Sequence, residues 1–158
     1  MESIDKNLLD KLTAQAKTAS RGRINHNFHR SLDEPLHRLL NALEPGTYVR
    51  PHRHKNPDKE ESFVLLRGKV VFFIFDDQGN ILSHHFLSPA EGMYGMDIEA
   101  GVWHSLVVLE SGSVIYETKL GPFAPLSEEN MAPWSPPAEE IEAAKTYMEM
   151  LMGKIEQE

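Results

Sequence analysis

The sequence predicts an all-β core, a sandwich or closed barrel, with a short helix at each end. Two observations predict it. From Gly46 to Ile115, short runs rich in Val, Ile, Phe and Leu alternate with turn signals such as Asp76-Asp77-Gln78-Gly79-Asn80 and Glu110-Ser111-Gly112. At both ends the apolar residues recur with a helical period instead.

Residues 3–19 read as an amphipathic helix, with Ser3 as a cap and Leu8, Leu9, Leu12 and Ala16 on one face. Residues 20–29 are polar and irregular. Residues 36–43 fit a strand or a helical turn, and Glu44-Pro45-Gly46 is a turn signal. About seven strands follow: 47–50, 62–66, 69–75, 81–87, 93–98, 105–109 and 113–119. Beyond Lys119 the chain is punctuated by proline. It ends in a helix that Ser135 could cap, with Pro136 in the first turn and Ile141, Ala144, Met148, Leu151 and Ile155 on one stripe. One domain over 1–158 is expected: a helix and capping segment over 1–45, a core over 46–120, and a tail with its helix over 121–158.

Composition narrows the function classes. The 158 residues carry a formal charge of -8, which argues against nucleic acid or an anionic membrane as the main partner. There is no cysteine, so any metal must be held by nitrogen and oxygen. The charged start MESIDKNLLDKL is not a secretory signal, and no apolar run approaches a membrane span, so the expected location is cytoplasmic.

The chemistry concentrates in His52-Arg53-His54, followed by Glu61 and by His104. Two histidines one residue apart on a strand point the same way. With a carboxylate on the next strand and a distant histidine, they can converge on one divalent ion and leave positions open for water or substrate. Zinc, iron, manganese and nickel all suit such donors. Beside Lys55 and Lys59, a bare His-x-His also fits a solvated basic loop. The same alternation places Tyr48 and Arg50 on the histidine face, where Arg50 would suit a carboxylate or phosphate, or else pair with acids at the rim. The stretch Arg21, Arg23, Asn25, His26 and Asn27 could fold over the mouth of the core or remain a solvated capping loop. Read as a site, Arg23, Asn25 and Arg50 bind substrate, and His26 and Tyr48 move protons. Trp103 is expected to pack in the core and Trp134 to pin the tail; Lys119 could point into the pocket, but it begins a loop and is expected to be exposed. His29 and His37 carry no spacing argument.

The spacing Gly46-x5-His52-x-His54-x6-Glu61-x6-Gly68 resembles the first cupin motif, and Glu99-x-Gly101-x2-His104 resembles the second. The resemblance implies a jelly-roll-type β-barrel and a metal held by His52, His54, Glu61 and His104. The gap from His54 to the glutamate is longer than usual by Asn56-Pro57-Asp58, which leaves Glu60 and Glu61 both open; the distance to Gly68 favours Glu61. The stretches 23–27, 39–46, 50–54, 119–123 and 132–134 are together similar to the WbuC-type cupin-fold metalloproteins. That likeness implies a link with surface polysaccharide and no established reaction.

Three functions are compatible with these readings: an isomerase or epimerase of a small sugar or sugar-derived acid, a metal-dependent dioxygenase, and a non-catalytic module binding a small anionic or sugar-like ligand. Cupin association through sheet faces or edges also suggests a homodimer.

Overall fold

Two antiparallel sheets pack face to face, and a helix covers the outer face of each. The structure, a computed structural model, describes residues 1–155; the last three positions of the expected 121–158 tail lie outside the described residues. The elements are α1 (Lys6–Thr18), β1 (Arg23–Asn27), β2 (Leu36–Leu43), β3 (Glu61–Arg67), β4 (Val70–Phe75), β5 (Ile81–Leu87), β6 (Gly95–Ile98), β7 (Trp103–Val108), β8 (Ser113–Leu120) and α2 (Ile141–Ile155). One sheet runs β1-β2-β8-β3-β6 and the other β5-β4-β7.

Alternation along the strands builds three apolar layers. Between the sheets lie Phe63, Leu65, Phe72, Leu106, Val108 and Ile115. The outward residues of β4 and β7, including Val71, Phe73 and Val107, pack under Leu151 of α2 and Ala132 of the tail. This double burial explains why β4 reads as the unbroken apolar run VVFFIF. On the other side, Leu40, Ala42 and Val114 are covered by Leu12 and Ala16 of α1. The cap of α1 is Asp5, whose carboxylate accepts from the Leu8 amide at 2.9 Å, rather than the expected Ser3. Among the described residues no helix is long and apolar enough to cross a membrane.

Three expectations are corrected. The sheets are not closed into a barrel. Where a ladder would join them, residues 47–54 run irregularly beside β7, with one isolated bridge between His52 and His104. Pro51 turns its carbonyl to the tail, where it accepts from the Ala132 amide, and has no N–H to extend the pairing on that side. The expected strand 47–50 is therefore absent. Conversely, the expected capping segment contributes β1 and β2 to the larger sheet, with Asn25 opposite Asn41 and Asn41 opposite Ile115. Its polar residues masked a strand because one face of β1 meets a cavity instead of a core.

Candidate metal centre

The inward rows of the strands change character along their length. On β3 the inward residues are Leu65, Phe63 and Glu61; on β8 they are Ile115, Glu117 and Lys119; on β7 they are Val108, Leu106 and His104. Register sets Glu61 opposite Lys119 and Phe63 opposite Glu117. The apolar core therefore grades into a polar end, and that end holds the histidines.

Their segment is fixed on two sides. His52 and His104 exchange backbone hydrogen bonds of 3.0 and 2.9 Å, and on the other side the Ala132 amide donates to Pro51 and the Arg53 amide to Asn130, each at 3.0 Å. The Gly101 amide donates to the His54 carbonyl at 3.0 Å, which ties the second motif to the first. Gly101 has φ +80, a left-handed turn that glycine adopts freely.

As a result, one donor atom from each of His52, His54, Glu61 and His104 lies within 4.8 Å of all the others, a group that could hold a metal ion. His54 Nε2 lies 3.1 Å from Glu61 Oε1, and His104 Nε2 lies 3.1 Å from Glu61 Oε2. At these distances the His54 and His104 nitrogens and Glu61 Oε2 still lack a partner of hydrogen-bonding geometry, though all three are buried. Uncompensated burial of such atoms is costly, and a shared cation would satisfy all of them. The outer nitrogens support the same reading. His52 Nδ1 donates to the Arg50 carbonyl and His104 Nδ1 to the Val102 carbonyl, each at 2.9 Å. A carbonyl can only accept, so Nδ1 carries the proton and the Nε2 lone pair is free to coordinate. The donor set therefore fits a divalent ion of the borderline class, such as zinc, iron, manganese or nickel. Of the two candidate carboxylates, Glu61 is 2% exposed and inside the cluster, whereas Glu60 faces solvent.

Electrostatics favours the same protonation states. Burial, reinforced by the charge of His104, pushes the His52 imidazole down to about 3 and keeps it neutral. Burial alone would raise the Glu61 carboxyl, but His104, His54 and Lys119 together hold it well below the usual carboxylate range. Lys119 lies 3.3 Å from Glu61 and 2.8 Å from Glu117; burial would lower its ammonium, and those two carboxylates raise it. Burial pushes the Glu117 carboxyl up, and Asn41 Nδ2 donates to it at 2.5 Å.

The cluster opens on a cavity of about 410 Å³ whose wall includes Arg21, Arg23, Asn25, Asn41, Glu117 and Lys119. Arg23 and Asn25 thus stand where the sequence placed them, and Arg23 also donates to the Tyr48 carbonyl at 2.8 Å. The other three residues assigned to substrate or protons do not line it. His26 points off the opposite face of β1, 2.8 Å from Glu2 and edge-on to Phe28. The Tyr48 hydroxyl donates to the Pro136 carbonyl at 2.9 Å. Arg50 donates to the Ser135 hydroxyl at 3.3 Å and to the Ala132 carbonyl at 3.0 Å. With no strand over 47–50 the expected alternation fails: Val49 faces the cavity, and its neighbours on either side turn to the tail. Lys119, expected at the surface, and Glu117, not singled out, are both inside. Their spacing of two from Ile115 on a predicted strand was the signal that could have found them.

The family model described as Domain of unknown function (DUF6016) matches residues 4–87. Among curated proteins none matches. Several solved structures share the fold. The capsular polysaccharide assembling protein CapF from Staphylococcus aureus is 20% identical, with a TM-score of 0.55 over 68% of this chain and 28% of its own. TT1209 from Thermus thermophilus is 22% identical, with a TM-score of 0.53 over 76% of this chain and 97% of its own. KdgF from Halomonas sp. is 16% identical, with a TM-score of 0.50 over 68% and 85%. The chain thus spans less than a third of CapF and most of the other two. These neighbours have the cupin fold, and with the family match reaching over more than half of its length the chain belongs to the family described as Domain of unknown function (DUF6016).

Proposed function

We propose that the chain binds one divalent metal ion through His52, His54, Glu61 and His104 and presents it to a small, polar, sugar-like ligand in the 410 Å³ cavity. The observation that carries this reading is the convergence of buried donor atoms without hydrogen-bond partners at the floor of an open cavity. When bound, the metal would supply Lewis acidity to a ligand oxygen. Arg21 and Arg23 suit an anionic substituent at the mouth, and Asn25 and Asn41 can donate to and accept from hydroxyls. Glu117, a buried carboxyl facing the same space, can hold or release a proton beside the ligand. The ordered resemblance to WbuC-type proteins and the fold shared with a capsular polysaccharide assembling protein support a sugar-derived ligand.

Elemental analysis of the purified chain, followed by a binding and turnover screen of the metal-loaded protein against sugar phosphates and nucleotide sugars, tests this. About one metal per chain and a ligand whose affinity drops with Arg23→Ala are expected. A chain that takes up no metal, or a loaded chain that binds none of these compounds, sinks the reading. Oxygen uptake by the iron-loaded protein with a bound substrate would move it to the dioxygenases.

A further inference from the structure

A second cavity borders the metal-ligand cluster. This one, of about 240 Å³, shares His52 and Lys119 with the first and also touches His54. Its remaining wall comes from His37 of β2, Lys59 of the connection before β3, and the proline-punctuated tail at Phe123, Leu126 and Met131. Its wall combines two lysines with the apolar side chains of Phe123, Leu126 and Met131.

The charges of the two lysines are not matched alike. Lys119 is paired with both Glu61 and Glu117. Lys59 is only 9% exposed and donates to the Pro122 carbonyl, and among the described residues no carboxylate pairs with it. An ammonium has three donors, and a neutral carbonyl satisfies one of them without offsetting the charge. A buried cation without a counter-charge is expensive to maintain. Here it borders a cavity whose wall also includes aromatic and aliphatic side chains. The volume corresponds to about eight waters of bulk liquid, which limits the occupant to a compact molecule. A monoanion with an apolar body matches both the charge of Lys59 and the apolar part of the wall.

We infer that this second cavity is a binding site for a small carboxylate with an apolar body, its carboxylate on Lys59 and its body against Phe123, Leu126 and Met131. The site shares His52 and Lys119 with the cavity of the proposed function and is otherwise lined by different residues. It does not depend on a metal being bound.

Calorimetric titration of benzoate into the metal-free chain tests the assignment, with benzyl alcohol as the neutral isostere. Saturable binding of benzoate is expected, with benzyl alcohol at least about tenfold weaker. Lys59→Met should weaken benzoate by about tenfold or more. Phe123→Asp should do the same; Phe123 is 51% exposed at the rim, so this variant keeps the fold even if loss of Lys59 does not. Arg23→Ala, in the other cavity, should leave benzoate binding unchanged. Equal binding of acid and alcohol overturns the assignment. So does benzoate binding that follows Arg23 instead of Lys59 and Phe123, or no binding up to ~10 mM benzoate, a concentration that already reaches very weak sites. Because every arm is metal-free, failure of metal loading leaves this result standing, and the reverse also holds.

Discussion

Lys119 shows how much one side chain at this site depends on its neighbours. It is the cation between two buried carboxylates, Glu61 and Glu117, with its side chain 24% exposed. Removing one member of such a group strands the others, so Lys119→Met should destabilise the metal-free chain by about 2–3 kcal/mol in urea denaturation, allowing for its partial exposure. A divalent ion beside Glu61 would supply part of the missing positive charge, and the loss should shrink in metal-loaded protein. Among the proposed ligands, His104→Ala removes a donor from the buried floor, 3% exposed. Metal affinity, measured by competition with a chromophoric chelator, should fall at least about 100-fold. Unchanged affinity would separate His104 from the metal. At this scale the sequence was legible where a residue had a motif around it: His52, His54, Glu61 and His104 stand together as their spacing implies. It was misleading where a residue had only strand parity or a polar neighbourhood. Tyr48 and Arg50 were aimed at the site by alternation and His26 by its place in a polar stretch, and each turns elsewhere for a local hydrogen bond or ion pair.

The irregular segment 47–54 is the element that decides the site. Backbone hydrogen bonds hold it to β7 on one side and to the tail on the other, so the two histidines are set by tertiary pairing and not by strand geometry. Arg50 belongs to that clamp. Arg50→Ala should lower stability by about 1–3 kcal/mol through its two lost hydrogen bonds, while metal content per folded chain stays the same. A metal loss without a stability loss would return Arg50 to the site. The turn at Gly68 carries a different constraint. It has φ +90, and a Cβ there would lie 2.7 Å from Ser113 Cα. Gly68→Ala should therefore cost about 1–3 kcal/mol, read from the thermal midpoint. The sequence marked this glycine by its place in the first motif; the approach of Ser113 that makes it necessary appears only when β3 and β8 pair.

At the level of the whole molecule, the terminal helices complete the sandwich. Each covers the outer face of one sheet, so neither sheet presents its full apolar face to water. Leu151, 1% exposed between α2 and the smaller sheet, should cost about 2–4 kcal/mol when truncated to Ala, with the loss visible in the denaturation midpoint. A metal that binds the folded chain should act globally too. At a free concentration one hundred times its Kd, it should stabilise by about 2.7 kcal/mol, and chelation should reverse the shift. The β core, the two helices and the four residues of the candidate centre were readable along the chain. Those features rest on local periodicity, turn chemistry and motif spacing, all written along the chain. Long-range pairing settled that the sheets stay open, that β1 and β2 complete one of them, and that Glu117 and Lys119 line the cavity. It also decided that Lys59 faces a second cavity without a counter-charge. These depend on which segments pair across long separations, and the periodicity of a single strand does not encode its partner.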